Sequence, residues 1–293
     1  VSDAGGGRRA VVVRVAGPSV TIAMDGVEWE AVLPPRLEGG PLVVGDEVDV
    51  EVRSEAAVVT GLRPRRTLLL RGEFGGARNR ERPLVANADL LLVVAAAAEP
   101  PLRPRFIDRY LVAGELGGLD CGIVVTKADL PHDARLLARA RRIYGEVGYP
   151  VLVGSTTDPG FIAEVRALIG QRVGALAGHS GVGKSSLTRV LTGVARAVGE
   201  VSRRAGTGRH TTTDPRLIPI PDGGAVIDTA GVRNFYLPPM DAADLAAGFP
   251  EIAAAAAHCR FRGCRHAGEA GCAVPARVTA ERLDSYRRLA ALL

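Results

Sequence analysis

Lysine is nearly missing from this chain of 293 residues: of its 37 basic residues only Lys127 and Lys184 are lysine, and the other 35 are arginine. A pressure such as a GC-rich genome removes lysine wherever arginine serves. The two survivors therefore mark places where a compact ammonium is hard to replace by a planar guanidinium. Long apolar runs are missing as well. The longest, residues 90–98, is too short to span a bilayer as a helix. The first residues are small, polar and basic rather than a signal core, so a soluble, cytoplasmic protein without membrane contact is expected. Cysteine is scarce, with four residues: Cys121 alone in an apolar stretch, expected as a core thiol, and Cys259, Cys264 and Cys272 close together. That distribution excludes a secreted disulfide framework and points to metal binding. No internal repeat is visible, and a monomer is expected. The formal charge of +5 fits an anionic partner such as RNA, and equally a merely basic enzyme.

What is present divides into three parts. Residues 10–15, 19–24, 27–33, 43–52 and 56–62 read as five short strands punctuated by Gly17-Pro18, Asp25-Gly26 and Gly39-Gly40. Such a series predicts a small closed β-barrel of the OB-fold type over residues 1–66, a module that often binds nucleic acid. The arginines at 63, 65, 66, 71, 78, 80 and 82 are either a solvated linker or a phosphate-contacting segment. From Leu84 strands and helices alternate, which predicts an α/β domain with a parallel sheet over residues 67–244. Residues 245–293 hold an alanine-rich helix, the Cys/His cluster, and a last helix. Thr279 is its expected N-cap, with Leu283, Tyr286, Leu289 and Leu293 along one face.

Gly178-His179-Ser180-Gly181-Val182-Gly183-Lys184-Ser185 matches G-x-x-x-x-G-K-[ST] at every fixed position, after a strand-like segment and before Ser186 opens a helical one. Glycines let the backbone turn its N–H groups onto phosphate, and a helix N-terminus adds a favourable dipole. Lys184 is expected on the β- and γ-phosphates and Ser185 on Mg²⁺. Thr126-Lys127-Ala128-Asp129 follows an apolar strand, where guanine-nucleotide enzymes carry N/T-K-x-D. A carboxylate there accepts from the guanine N1–H and amine, a donor pair that adenine lacks. Ser155, in Gly154-Ser155-Thr156, stands where a backbone donor for the guanine O6 is expected, or is a simple turn residue. Asp228-Thr229-Ala230-Gly231 is D-x-x-G, with Asp228 expected on Mg²⁺ through water and the Gly231 N–H on the γ-phosphate. Upstream, one of Thr211, Thr212 and Thr213, with Thr212 preferred, completes the Mg²⁺ shell when GTP is bound. Val232 cannot orient water as a glutamine would. His210 is the candidate for that role, or a plain loop histidine.

The base-reading segment precedes the phosphate loop, so the motifs stand in circularly permuted order, compatible with one sheet if the original ends lie close together. Cys259-x4-Cys264-x-His266-x5-Cys272 supplies three thiolates and an imidazole, the donor set of one structural Zn²⁺ with no open position, His258 being an outside alternative. The arginines at 260, 262 and 265 would make this knuckle a plausible RNA contact.

With the permuted order, GHSGVGKSS at 178–186, RHTTT at 209–213, DTAGVRNF at 228–235, the Ile107–Leu111 segment and the Cys/His spacing, nearly the whole chain resembles the bacterial ribosome small-subunit-dependent GTPase A family. The chain departs from the family's more usual residues at Thr126 (Asn) and Ala230 (Pro). The resemblance implies an OB-fold, a permuted GTPase domain and a zinc domain. It further implies a late role in assembly of the small ribosomal subunit, with rRNA binding and GTP hydrolysis stimulated by the subunit. Two other readings remain at this level: a zinc-containing RNA-binding regulator that binds the nucleotide without turnover, and an ATPase, which Asp129 opposes. If Asp129 reads guanine, Asp129→Ala lowers the preference for GTP over ATP by at least about 100-fold in competition binding; an unchanged preference refutes the assignment.

Overall fold

The computed structural model describes residues 7–17, 19–53, 56–73, 80–194, 214–229 and 235–293. The five expected strands are β1 (Arg8–Ala16), β2 (Ser19–Met24), β3 (Val27–Val32), β4 (Glu47–Arg53) and β5 (Ala56–Leu62). They close in the order β1-β2-β3-β5-β4 and back to β1, with β3 and β5 parallel. Asp25 and Gly26, both at positive φ, make the two-residue turn that brings Met24 opposite Val27. The strand period of two sends Val20, Ile22 and Met24 inward with Val12, Val48, Val50 and Val59.

The arginine-rich stretch is structured where it is described, a reading that its charge obscured. β6 (Leu68–Glu73) and β7 (Arg80–Ala86) form an antiparallel hairpin. Just ahead of the hairpin, several arginines of the stretch are held by carboxylates rather than left for phosphate. Arg65 grips the fully buried Asp46 through two nitrogens at 2.7 and 2.9 Å, Arg63 meets Asp49 at 3.2 Å, and Arg66 meets Asp89 at 3.2 Å. The first two contacts lie within the barrel, and the Arg66–Asp89 pair joins it to the next domain.

That domain has parallel strands β8 (Leu90–Ala96), β9 (Asp120–Thr126), β10 (Val151–Val153), β11 (Val173–Ala177) and β13 (Ala225–Asp228), with β12 (Arg216–Pro219) antiparallel to β13. The spatial order is β10-β9-β8-β11-β13-β12, and β12 continues through β1 into the barrel. Every residue of β8 is buried, as a strand covered on both faces requires. Leu91, Val93 and Ala95 pack under α1 (Pro104–Leu116) and α2 (Ala134–Val147). Leu90, Leu92 and Val94 pack under α3 (Pro159–Ile169) and α4 (Lys184–Thr192). Cys121 lies buried in the first of these layers, as expected, and burial pushes its thiol pKa up.

The third part comprises α5 (Ala242–Ala247), α6 (Pro250–Ala256), a single 3-10 turn (Val274–Ala276) and α7 (Ala280–Ala290). Asp241 and Asp244 form a capping box at the start of α5. Leu283, Tyr286 and Leu289 enter a core shared with Val112 of α1, whereas Leu293 lies beyond the helix and is exposed. Thr279 precedes α7 as the N-cap residue, but its side chain makes no capping hydrogen bond.

One buried ionic cluster joins this part to the α/β domain. Arg282 of α7, 1% exposed, pairs with Asp108 of α1 and, at 2.6 Å, with Glu251 of α6. Its guanidinium lies 4.5 Å from the Phe249 ring, and the Tyr144 hydroxyl of α2 lies 2.9 Å from Asp108. Removing the cation leaves the buried Asp108 and the partly buried Glu251 uncompensated. Arg282→Ala is expected to cost about 3–5 kcal/mol and to lower Tm by roughly 5–10 °C in thermal unfolding; an unchanged Tm contradicts the assignment of this cluster.

Candidate active site and metal centre

Parallel pairing decides which residues meet. Ala177 sits beside Val93, Leu176 beside Asp228, Thr126 beside Ala96, and Val153 beside Val125. The segments singled out in the sequence therefore leave the sheet at one edge, the carboxyl ends of the strands, where open α/β sheets place their ligands.

After β11 the chain turns on Gly178 at φ +156°, where a Cβ would fall 2.1 Å from the Val94 carbonyl oxygen, so only glycine fits. Gly181 and Gly183 also have positive φ, and Gly183 is the N-cap of α4. Ser180 and Ser185 are exposed, Ser186 is half-buried, and Val182 is buried in the α3–α4 layer. Lys184 is buried, and its Nζ donates to the carbonyls of Gly178 and His179, both at 2.8 Å. Burial lowers its pKa to about 8, against the opposing pull of Asp228. This ammonium spans the loop.

Thr126 is fully buried at the end of β9. Its hydroxyl lies 2.6 Å from the Val182 carbonyl oxygen and 3.2 Å from that of Ala95, tying the base-reading segment to the phosphate loop. A Cβ on Gly183 would come 3.2 Å from that hydroxyl, so the contact also depends on glycine in the loop. Lys127 adopts φ +56° and donates its Nζ to the Glu99 carbonyl, while the Asp129 carboxylate stands exposed. The Ala128 N–H reaches the Gly154 carbonyl at 3.1 Å, which sets Ser155 next to this segment. The Ser155 hydroxyl is engaged locally, 2.9 Å from the Thr157 hydroxyl, and so serves the turn as well. Asp228 is buried at the end of β13, and the Thr229 hydroxyl donates to the Leu176 carbonyl at 2.7 Å, pinning the start of D-x-x-G to β11. His210, Thr211, Thr212, Thr213, Ala230, Gly231 and Val232 lie outside the described residues.

In the third part Cys259, Cys264, His266 and Cys272 bring their ligand atoms within 4.8 Å of one another. The Cys259 and Cys272 sulfurs are 4.0 Å apart, and His266 Nδ1 lies 3.7 and 3.5 Å from them. Tetrahedral Zn²⁺ with ordinary Zn–S bonds needs sulfurs about 3.8 Å apart, so the donor set and its spacing fit that ion. The Glu269 carboxylate accepts from the N–H groups of Arg265, Ala267 and Gly268, which folds the loop that carries His266.

Sequence reasoning missed Asp108, Tyr144 and Arg282. A signal existed: Asp108 interrupts the apolar stripe of Ile107, Tyr110 and Leu111, and Arg282 adjoins Leu283 on the buried side of α7. A charge inside such a stripe calls for a buried partner.

Residues 62–238 match the model of the RsgA GTPase family. A protein of Azotobacter vinelandii named small ribosomal subunit biogenesis GTPase RsgA is 38% identical over 261 residues, which is 86% of this chain and 75% of that one. The crystal structure of YjeQ from Thermotoga maritima is similar at TM-score 0.77 with 26% identity, covering 98% of each chain. YloQ, described as a circularly permuted GTPase, shares the fold at TM-score 0.74 and 22% identity over 98% of this chain and 95% of its own.

The Lys184 environment has a consequence for binding. If Lys184 binds phosphate as an ammonium, then, with burial holding its pKa at about 8 in the free protein, binding above that pH must take up a proton. GDP affinity is expected to fall about threefold between about pH 7.5 and about pH 8.5, with proton uptake visible by calorimetry in buffers of different ionisation enthalpy. Constant affinity without uptake contradicts it.

Proposed function

The chain belongs to the RsgA GTPase family, and from that premise we propose that it is a Mg²⁺-dependent GTPase of late small-subunit maturation, binding rRNA and stimulated by the small ribosomal subunit. The observation that carries this reading is the single edge at which a phosphate loop and a guanine-reading segment meet, joined by the Thr126 hydroxyl and reached in permuted chain order. It acts as a monomer in the cytoplasm without membrane contact. No helix among the described residues is long and apolar enough to cross a membrane.

In this reading the backbone from Gly178 through Ser186, including Ser180, Gly181, Val182 and Gly183, cradles the phosphates. Lys184 neutralises the β- and γ-phosphates. Thr126, Lys127, Asp129 and Ser155 hold guanine, with Asp129 excluding adenine. Mg²⁺ supplies charge neutralisation on the phosphates, with Ser185 and Thr212 in its shell, Asp228 acting through water, and the Gly231 N–H reporting the γ-phosphate. His210 orients the attacking water. The three parts are residues 1–66, 67–244 and 245–293. The last boundary falls inside α5, whose Leu245 packs in the C-terminal core. One structural Zn²⁺ on Cys259, Cys264, His266 and Cys272 keeps this part folded.

GTP hydrolysis measured with and without purified small subunits tests the reading, with Lys184→Ala as the control. Stimulation of at least about tenfold by small but not large subunits, lost in the variant, is expected. Equal rates with and without subunits overturn the ribosomal assignment, and no hydrolysis in either case leaves a binding-only regulator.

A further inference from the structure

A cavity of about 770 Å³ lies away from the phosphate loop's lysine and from Asp129. It opens between α1, α2 and α7, bordered by His179 on one side and by the start of α7 on the other. Its volume is that of a small-ligand site. Most of its wall is apolar, built from Phe106, Leu136, Ile143 and Tyr144, while its rim is arginine. Two rim arginines are already paired across the domain boundary, Arg105 with Asp284 at 3.2 Å and Arg139 with Glu281 at 2.6 Å. Arg103 and Arg109 have no ion-pair partner among the described residues.

We propose that this cavity binds one unstacked nucleotide of a single-stranded RNA segment, its base against Phe106 and its phosphate on Arg103 and Arg109. An aromatic and apolar floor beneath unpaired guanidinium groups is the chemistry that takes a flat base with an anion attached. An acidic peptide brings charge but no flat face for this floor. The site also touches the GTP machinery. The His179 ring of the phosphate loop packs edge-on against Phe106 at 5.3 Å, Phe106 against Tyr110 at 5.1 Å, and Tyr110 stacks on Phe235 at 4.0 Å. A base on Phe106 thus presses on a ring series that runs from the phosphate loop to the segment after D-x-x-G.

The proposal rests on the reading that the chain works on an RNA-containing particle, yet it is tested without that particle. The full chain, loaded with GDP, is irradiated with a uridine hexamer carrying one central 4-thiouridine, and the crosslinked peptides are mapped by mass spectrometry. Crosslinks are expected in α1, α2 or the first turn of α7. Their yield should drop about tenfold in Ala280→Trp, which fills the mouth from an exposed position, and in the double variant Arg103→Ala/Arg109→Ala. GDP affinity and Tm should be unchanged in both. Crosslinks confined to other segments, or an undiminished yield in the arginine variant, overturn the proposal. So does competition by hexaglutamate stronger than by unlabelled hexamer, which would assign the cavity to acidic peptides. Competition by free UMP equal to that by the hexamer would assign it to a mononucleotide and equally overturn the RNA-strand reading. Loss of stimulation by small subunits is a separate result, so the two readings fail independently.

Discussion

The hydrogen bond between the Thr126 hydroxyl and the Val182 carbonyl is the join on which the proposed nucleotide site depends. It lies where two segments more than fifty positions apart in the chain must act as one surface. Parallel pairing brings β9, β8, β11 and β13 to the same edge in that order, and the hydroxyl then fixes the base-reading turn against the loop. Nothing in this geometry depends on which strand the chain visits first, and that is why a permuted order serves. Strand position in the sheet, rather than sequence position, determines what reaches the edge.

The same sheet explains the rest of the architecture. The antiparallel β12 borders β13 and hands the sheet on to β1 of the barrel, so barrel and α/β domain share backbone hydrogen bonds as well as the Arg66–Asp89 ion pair. On the other side α1 carries three tasks at once. It covers β8, contributes Val112 to the C-terminal core, and lends Asp108 to Arg282. The C-terminal part is too small to bury much apolar surface by itself. Docking on α1 and a four-donor metal knuckle supply what its own core lacks.

Much of this was legible in the sequence. The barrel strands follow the strand period, and the Asp25-Gly26 turn behaves as its residue types require. The phosphate loop, the base-reading segment and the Cys/His knuckle are local patterns, and local patterns are what one sequence displays. What escaped were long-range pairings. The hairpin of β6 and β7 is hidden because arginines make the stretch look like a linker; just ahead of β6, Arg65 is held by Asp46, nineteen positions away. Asp108 and Arg282 lie 174 positions apart, and neither announces the other. Thr126 stands where the family more often has Asn, yet its short hydroxyl makes the link that matters to the fold. Leu293 satisfied the helical period but fell past the last turn of α7, where no core remains.

The central claim is that the two segments form one site for one molecule. A crystal structure of the protein with Mg²⁺ and a non-hydrolysable GTP analogue tests it most directly. The account predicts a single nucleotide with guanine on Asp129, phosphates inside the turn from Gly178 to Ser185, and the Thr126–Val182 hydrogen bond intact between them. Phosphates in the loop with the base turned away from Asp129, or a nucleotide seated elsewhere, would contradict it.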